Sequence, residues 1–188
     1  MELRLIIAGI GGQGVIYATR VLSQAALARG ERVMASENHG MSQRGGSVLT
    51  HFRLGRGDAP LVRQGTADAL IAFDRSEALR NVLYVRPGGN VYVNSANGLG
   101  AALEVRLAEL AIGLHAVDAN VLAQQLGTAA VLNLVVLGFA AAHGDIGFSV
   151  DEFKAAARAL GPSTAVATNL KALDVGAAQA ELVKRGLP

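Results

Sequence analysis

Apolar runs alternate with helical repeats along the chain, and this alternation predicts an α/β fold. Residues 3–8 are apolar apart from Arg4, which is typical of a buried strand of the parallel type. Residues 15–29 carry apolar side chains at helical spacing, namely Val15, Ala18, Leu22 and Ala25. Gly30 predicts the end of this helix, and residues 32–36 predict a second strand. The chain therefore opens with a predicted β-α-β unit.

Four more strands are predicted, at residues 47–54, 69–73, 90–94 and 114–117. In the first of these, apolar side chains favour one face: Val48, Phe52 and Leu54 lie opposite Leu49, His51 and Arg53. Further helices are predicted at residues 75–83, 119–126, after Thr128, after the Ser149 and Glu152 capping box, and at 163–184. A Pro-Gly-Gly turn is predicted at residues 87–89.

The element order predicts a single domain, residues 1–188, with a three-layer α/β/α architecture. We expect a Rossmann-like sheet and a helical C-terminal part. The helix after Thr128 is apolar nearly all round, which predicts that it is buried.

Composition narrows the class of protein. Of the 188 residues 51% are hydrophobic and 4% aromatic, so a large core of aliphatic side chains is expected. The net charge of +2 is too small to indicate nucleic-acid binding. The chain contains no cysteine, which excludes a thiolate-bound cluster, a disulfide and a cysteine nucleophile within it.

The start of the chain does not resemble a secretory leader, because Glu2 stands where a basic residue is expected. The longest apolar segment, residues 129–142, is shorter than the ~20 residues of a membrane span. We therefore expect a soluble, cytoplasmic protein.

A glycine-rich loop, GIGGQG at residues 9–14, follows the first strand and precedes the first helix. This pattern is typical of dinucleotide-binding loops, in which glycines let the backbone approach a pyrophosphate. The candidate binding residues are Gly9, Gly11, Gly12, Gln13 and Gly14, with Glu37 as the acid for a ribose hydroxyl. Alternatively, the glycines serve only to pack the helix against the strand. Gln13 and the polar segment after the second strand count against an ordinary dinucleotide enzyme.

A second loop, HGMSQRGGS at residues 39–47, combines donors with glycines. Such a loop can bind an anion, with the guanidinium of Arg44 paired to phosphate or carboxylate. Its candidate residues are His39, Gln43, Arg44, Gly45, Gly46 and Ser47. The alternative is a glycine-rich turn whose arginine pairs with an acid or with a partner subunit. Residues 44–63 contain one acidic residue, Asp58, and four arginines, namely Arg44, Arg53, Arg56 and Arg63. This excess of positive charge indicates either a solvated surface or a surface that faces an anion.

Together these segments closely resemble the γ-type subunit or domain of the 2-oxoacid:ferredoxin oxidoreductases. The resemblance is carried by GIGGQGV at residues 9–15, HGMSQRGGSV at 39–48, ADALIAF at 67–73, EALR at 77–80, GNVYVN at 89–94, Asn133 with Leu137 and Gly138, and Asn169 with Ala172, Leu173 and Gly176. It spans essentially the whole chain. The form of the second loop is most similar to the β subunit of indolepyruvate ferredoxin oxidoreductase.

The resemblance implies a complex that converts a 2-oxoacid, coenzyme A and oxidised ferredoxin into an acyl-CoA, CO2 and reduced ferredoxin. It implies that partner subunits carry thiamine diphosphate, Mg and iron–sulfur clusters. This chain lacks the Gly-Asp-Gly signature of a thiamine diphosphate site, residues 57–59 being the nearest approach. We expect it to be inactive alone, to dock on the catalytic subunits and to present both loops either to the phosphates of coenzyme A or to a neighbouring polypeptide. An isolated subunit is expected to pair with itself.

No catalytic residue or metal site is predicted. His39, His51, His115 and His143 have no recognisable nucleophile partner, and we expect them to be structural, with His39 the partial exception. Asn133 stands alone in an apolar helix, so it is expected to bond to the backbone. Two alternatives stay open: a freestanding NAD(P)- or flavin-dependent oxidoreductase, and a scaffold that binds no small ligand.

Overall fold

The computed structural model describes residues 1–39, 45–161 and 163–186, and for His39 and Ser163 only the backbone. Within these residues the strands are β1 Leu3–Ile10, β2 Val33–His39, β3 Ser47–Leu54, β4 Ala67–Ala72, β5 Val85–Asn94 and β6 Gly113–Val117. The α-helices are α1 Val15–Ala28, α2 Arg75–Asn81, α3 Ala101–Glu109, α4 Ala119–Gln125, α5 Leu132–His143, α6 Val150–Leu160 and α7 Ser163–Lys184.

The strands form one mixed sheet in the order β2-β3-β1-β4-β5-β6. Strands β1, β4, β5 and β6 run parallel, whereas β3 pairs antiparallel with both β1 and β2. The prediction of a parallel β1 is therefore correct only on the side of β4. Strand β2 runs in the same direction as β1, but β3 lies between them, so the β-α-β unit spans an intervening strand.

Two hydrophobic clusters cover the two faces of the sheet, which confirms the three-layer prediction. Leu5 and Ile7 point into the larger cluster, which is completed by α1 and by α4 to α7. Ile6 and Ala8 point to the opposite face, which α2 and α3 cover. Because successive side chains of a strand alternate between faces, the apolar run of β1 serves both layers.

The largest differences from the sequence prediction are at α3 and at residues 87–89. Helix α3 was not predicted, because its apolar pattern is weak and Leu107 is its only buried residue. The predicted turn at residues 87–89 lies inside β5, where residues 86–89 form a bulge. Ala67 pairs with Val85 while Ala69 pairs with Asn90, so one residue of β4 faces four of β5.

Helices α5 and α7 pack against each other with almost no space between their backbones. A Cβ added at Gly138 would overlap the carbonyl of Leu173, and one at Gly176 would overlap the carbonyl of Val135. Ten of the twelve residues of α5 are buried, as its uniform apolar character predicts. Glycine at these two positions is thus required by helix packing.

Candidate functional site

The two glycine-rich loops meet at one edge of the sheet. Strands β1, β4, β5 and β6 all end at this edge, and β3 begins there. The N–H of Gly11 donates a hydrogen bond to the carbonyl of Gly46 at 2.8 Å. Loops at the carboxyl ends of parallel strands are where α/β folds bind ligands. The structure thus joins two loops that stand thirty residues apart in the sequence.

Gln13 holds the first loop in shape. Its backbone N–H donates to the carbonyl of Ile10 at 3.0 Å, and its side-chain oxygen accepts from the N–H of Ile10 at 2.8 Å. A Cβ at Gly9 would lie 2.8 Å from Val15 Cγ2 and 3.1 Å from the same Gln13 oxygen. The amide oxygen of Gln13 and the missing side chain of Gly9 therefore serve the loop itself.

Gly12 and Gly14 leave the start of α1 open. Gly14 is the N-cap residue, with φ of 77°, and no side chain of the described residues caps the first turn. Gly12, with φ of 104°, has no described atom within 4 Å of its Cβ position. A cleft of about 280 Å³ lies here, lined in part by Gly11, Val15, Ile16 and Val48. Uncapped N–H groups and the helix dipole favour an anion at such a position.

A second cleft, of about 370 Å³, lies on the other side of Gly14 and is lined by Tyr17, Asn133 and Asn169, among others. The side-chain amide of Asn169 donates to the Tyr17 hydroxyl at 3.0 Å, and burial raises the pKa of that tyrosine. Sequence reasoning did not identify Tyr17 or Asn169 as site residues. A single asparagine at a buried position of α7 is the signal that could have identified Asn169.

Asn133 bonds to the backbone, as predicted. Its Nδ2 donates to the carbonyl of Gly14 at 2.9 Å, while its Oδ1 accepts from the N–H of Leu134 at 2.9 Å. The side chain is buried, with 2% of its surface exposed. It therefore links the start of α5 to the start of α1 and holds the glycine loop against the helical layer.

Ser47 anchors the start of β3. Its hydroxyl donates to Oε2 of Glu77 at 2.6 Å, and Arg80 donates to Oε1 of the same carboxylate at 2.6 Å. Glu77 is only 1% exposed. Sequence reasoning gave Glu77 no role at the site. Gly45 and Gly46 lie beside the first loop, whereas Gln43, Arg44 and the side chain of His39 lie outside the described residues.

Glu37 lies on β2, exposed and separated from β1 by β3. Two strand spacings place it about 10 Å from β1. In a dinucleotide-binding fold the acid that contacts the ribose follows the strand next to the glycine loop. The observed strand order therefore does not favour the alternative of a dinucleotide-dependent enzyme.

His51 is structural. Its Nδ1 accepts a hydrogen bond from the N–H of Val62 at 3.2 Å, and its ring lies edge-on to Tyr84 at 5.5 Å. Burial lowers the pKa of His51, although the bond to Val62 acts in the opposite direction. The neutral ring thus fixes the segment that follows β3.

Among the described residues, no group of three or more His, Asp or Glu side chains is placed to hold a metal ion.

His115 and His143 belong to a second aromatic cluster, which lies between β5, β6 and α5. His115 stacks on Tyr92 at 5.0 Å and lies 4.2 Å from His143. The Tyr92 hydroxyl donates to Asp145 at 2.9 Å. Burial, followed by the nearby His143, lowers the pKa of His115 to about 4; Lys184 acts in the same direction and Asp145 against it.

Acid is expected to destabilise the protein through His115. Its pKa of about 4 in the folded state lies below the usual ~6.5, so between these values the unfolded state binds more protons. The free energy of unfolding should therefore fall, by about 1–2 kcal/mol after allowance for solvent screening, as the pH drops from 7 to 4.5. The lowered pKa of His51 acts in the same direction.

Urea denaturation of the wild type and of His115→Phe at both pH values measures this effect. The variant should lose less stability on acidification than the wild type, because the other titrating groups are common to both proteins. Equal losses in the two proteins would show that His115 does not contribute to acid sensitivity.

In the described parts of the chain no helix is both long and apolar enough to cross a bilayer.

Residues 4–179 match the model of the protein family described as pyruvate ferredoxin/flavodoxin oxidoreductase. In an alignment of 193 positions the chain is 33% identical to indolepyruvate oxidoreductase subunit IorB of Archaeoglobus fulgidus. The match covers 96% of each chain.

Two solved structures share the fold. The gamma subunit of a keto/oxoacid ferredoxin oxidoreductase from Geobacter sulfurreducens matches with a TM-score of 0.72 and 23% identity, over 95% of this chain and 98% of that one. A 2-oxoglutarate:ferredoxin oxidoreductase from Magnetococcus marinus, described with 2-oxoglutarate, coenzyme A and succinyl-CoA bound, matches with a TM-score of 0.76 and 23% identity. That match covers 96% of this chain and 31% of the other.

Proposed function

The chain belongs to the pyruvate ferredoxin/flavodoxin oxidoreductase family, and we propose that it is the subunit of a 2-oxoacid:ferredoxin oxidoreductase complex that carries neither thiamine diphosphate nor iron–sulfur clusters. The observation that carries this proposal is the match, over 96% of both chains, to a relative named as a subunit of indolepyruvate oxidoreductase. The complex would convert a 2-oxoacid, coenzyme A and oxidised ferredoxin into an acyl-CoA, CO2 and reduced ferredoxin.

The residues of this chain do not fit the cofactors of that reaction. It has no cysteine to ligate an iron–sulfur cluster. Asp58, in the segment nearest to a thiamine diphosphate signature, is fully exposed and lies 3.9 Å from Arg32. We therefore assign thiamine diphosphate, Mg and the clusters to partner subunits, and we expect the isolated chain to be inactive.

We further propose that the joined glycine loops bind the phosphates of coenzyme A. The support is geometric: among residues 1–39, 45–161 and 163–186 no side chain caps the first turn of α1, Gly12 is open, and a cleft lies on each side of Gly14. Gly45 and Gly46 border the same edge, and Gln43, Arg44 and His39 are assigned to the site from the sequence alone. The Magnetococcus marinus structure supports the fold only, at 23% identity.

Reconstitution tests the subunit assignment. The purified chain should give no ferredoxin reduction with indolepyruvate, pyruvate, 2-oxoglutarate or 2-oxoisovalerate. Activity should appear when a thiamine- and cluster-bearing subunit is added, and indolepyruvate should be the best substrate. Oxidation of any of these acids by the chain alone would overturn the proposal. We also propose that the isolated chain pairs with itself, and gel filtration tests this homodimer.

A charge placed in the first turn of α1 tests the coenzyme A site. Ile16 lines the cleft beside Gly12 and is 44% exposed, so Ile16→Glu should not disturb the core. An acid here suits the helix dipole and should stabilise α1 slightly, by about 0.5 kcal/mol. It should nevertheless repel a phosphate and raise the KM for coenzyme A about tenfold in the assembled complex. A tenfold change corresponds to a loss of about 1.4 kcal/mol of binding free energy.

Ile16→Gln is the matched neutral control and should leave the KM for coenzyme A close to that of the wild type. If both variants have the wild-type KM, the phosphates of coenzyme A bind elsewhere. The subunit assignment would survive that result, because it is tested by reconstitution.

We also propose that residues 1–188 form a single γ-type domain, that ferredoxin accepts the electrons and that the complex is cytoplasmic.

A further inference from the structure

A basic cleft of about 310 Å³ lies at the end of the sheet opposite to the glycine loops. Arg4 of β1, Arg53 of β3, and Arg63 and Thr66 from the segment before β4 line it. Arg4 lies near the start of β1 and pairs with Arg53, near the end of β3. Residues 44–63 are rich in arginine, and the sequence left open whether they face solvent or an anion. The fold places two of these arginines, Arg53 and Arg63, in one cleft.

The guanidinium of Arg53 is held by carbonyl groups rather than by an acid. It donates to the carbonyl of Ala59 at 2.9 Å and to that of Arg56 at 3.4 Å. Gly57 passes so close that a Cβ there would lie 2.9 Å from Nη2. The Nε of Arg53 is buried and has no hydrogen-bond partner in the part of the chain that the structure describes. The carbonyls of Ala59 and Arg56 hold this guanidinium in place, whereas its buried Nε is left without an acceptor, which is costly.

Arg63 is presented by a tightly bonded turn. Both the N–H and the hydroxyl of Thr66 donate to the carbonyl of Arg63, at 3.2 and 2.8 Å. The N–H of Val62 is bonded to His51, and the N–H of Gly65 donates to the carbonyl of Leu83 at 3.0 Å. The backbone around Arg63 is therefore fixed while its side chain is exposed.

The charges around the cleft do not balance. Asp68 pairs with Arg86 at 2.8 Å and lies 3.8 Å from Arg4, so one carboxylate serves two guanidinium groups. No carboxylate of the described residues forms an ion pair with Arg53 or Arg63. The cleft therefore carries an excess of positive charge, and hydrogen bonds hold the Arg53 guanidinium and the backbone of Arg63 in place.

We propose that this cleft binds a small polyanion that bears phosphate or several carboxylate groups. Guanidinium groups bind both kinds of oxyanion through paired, charge-assisted hydrogen bonds. The volume is at the lower end of the range for small-molecule pockets. Because the cleft lies at the opposite end of the sheet, it is separate from the loops proposed for coenzyme A, and the inference does not depend on that proposal.

Calorimetric titration of the full chain with pyrophosphate, inorganic phosphate and citrate at low salt tests the proposal. Saturable binding with a Kd below about 1 mM is expected for at least one of them. Arg63→Gln should weaken it about tenfold, as expected for one charge-assisted contact. Arg158→Gln removes the same charge from an exposed position of α6 and should have no effect. A preference for pyrophosphate or for citrate distinguishes a phosphate from a carboxylate ligand.

Amide chemical shifts locate the site, because pyrophosphate could also bind at the start of α1. In the wild type the shifts should concentrate at Val62, Thr66 and their neighbours, and Arg4→Gln should reduce them. Shifts confined to Gly11 and Gly12, equal affinity in Arg63→Gln and wild type, or binding of an acidic peptide without binding of any small polyanion would each overturn the proposal.

Discussion

Replacing Gly176 by alanine is expected to destabilise the protein by about 3 kcal/mol, at the upper end of the usual cost of overpacking a core. Helix propensity alone predicts the opposite, since alanine is favoured over glycine by about 1 kcal/mol inside a helix. Packing decides the sign, because the new Cβ would overlap the carbonyl oxygen of Val135 and lie 2.9 Å from the nitrogen of Phe139. These are backbone atoms, so no rotamer change relieves the overlap and α5 and α7 must separate.

Urea denaturation of Gly176→Ala measures the loss. Gly138→Ala should show a similar loss, because its Cβ would overlap the carbonyl of Leu173. Ala178→Gln adds atoms to an exposed position of the same helix and should change the free energy of unfolding by no more than about 0.5 kcal/mol. An alanine variant at Gly176 as stable as the wild type would disprove the close contact between the helices.

Replacing Gly14 by alanine is expected to cost about 2–3 kcal/mol from two sources. The φ of 77° suits glycine, and an alanine there costs about 1 kcal/mol. A Cβ would also overlap the side chain of Asn133, which donates to the carbonyl of Gly14. The first turn of α1 should move as a result, so the KM for coenzyme A in the assembled complex should rise as well.

A double-mutant cycle with Asn133→Ala separates the two sources. With Asn133 shortened, Gly14→Ala should cost only about 1 kcal/mol, so the two substitutions should couple by at least about 1 kcal/mol. Gly12→Ala is the control, because its φ is also positive but no described atom lies near its Cβ position. Additive losses at Gly14 and Asn133 would contradict the steric part of the explanation.

Local pattern accounts for what could be predicted of the fold. The apolar runs and the period of helical repeats are properties of neighbouring residues, so they located the strands and most of the helices. The Ser149 and Glu152 capping box forms as predicted, because both partners lie within one turn. Helix α3 was missed for the same reason, since only Leu107 of its residues is buried and the pattern there is faint.

The candidate site could be predicted only as far as its loops. The glycines of the first loop and Gly45, Gly46 and Ser47 of the second were identified by residue type and spacing. Their contacts were not predictable, because the partners are distant in sequence: Ser47 bonds to Glu77, and Tyr17 to Asn169. Gln13, in contrast, bonds to Ile10 within its own loop, which the glycine pattern did not indicate.

The layers of this protein, its two loops and the absence of cysteine chemistry follow from the amino-acid sequence alone. All of these depend on residue type or on a short period along the chain. The folded structure was needed to show that β3 lies between β1 and β2, that the two loops meet at Gly11 and Gly46, and that Arg4, Arg53 and Arg63 line one cleft. Strand order and side-chain contacts between distant segments depend on how the whole core packs, and a local pattern is compatible with several such packings.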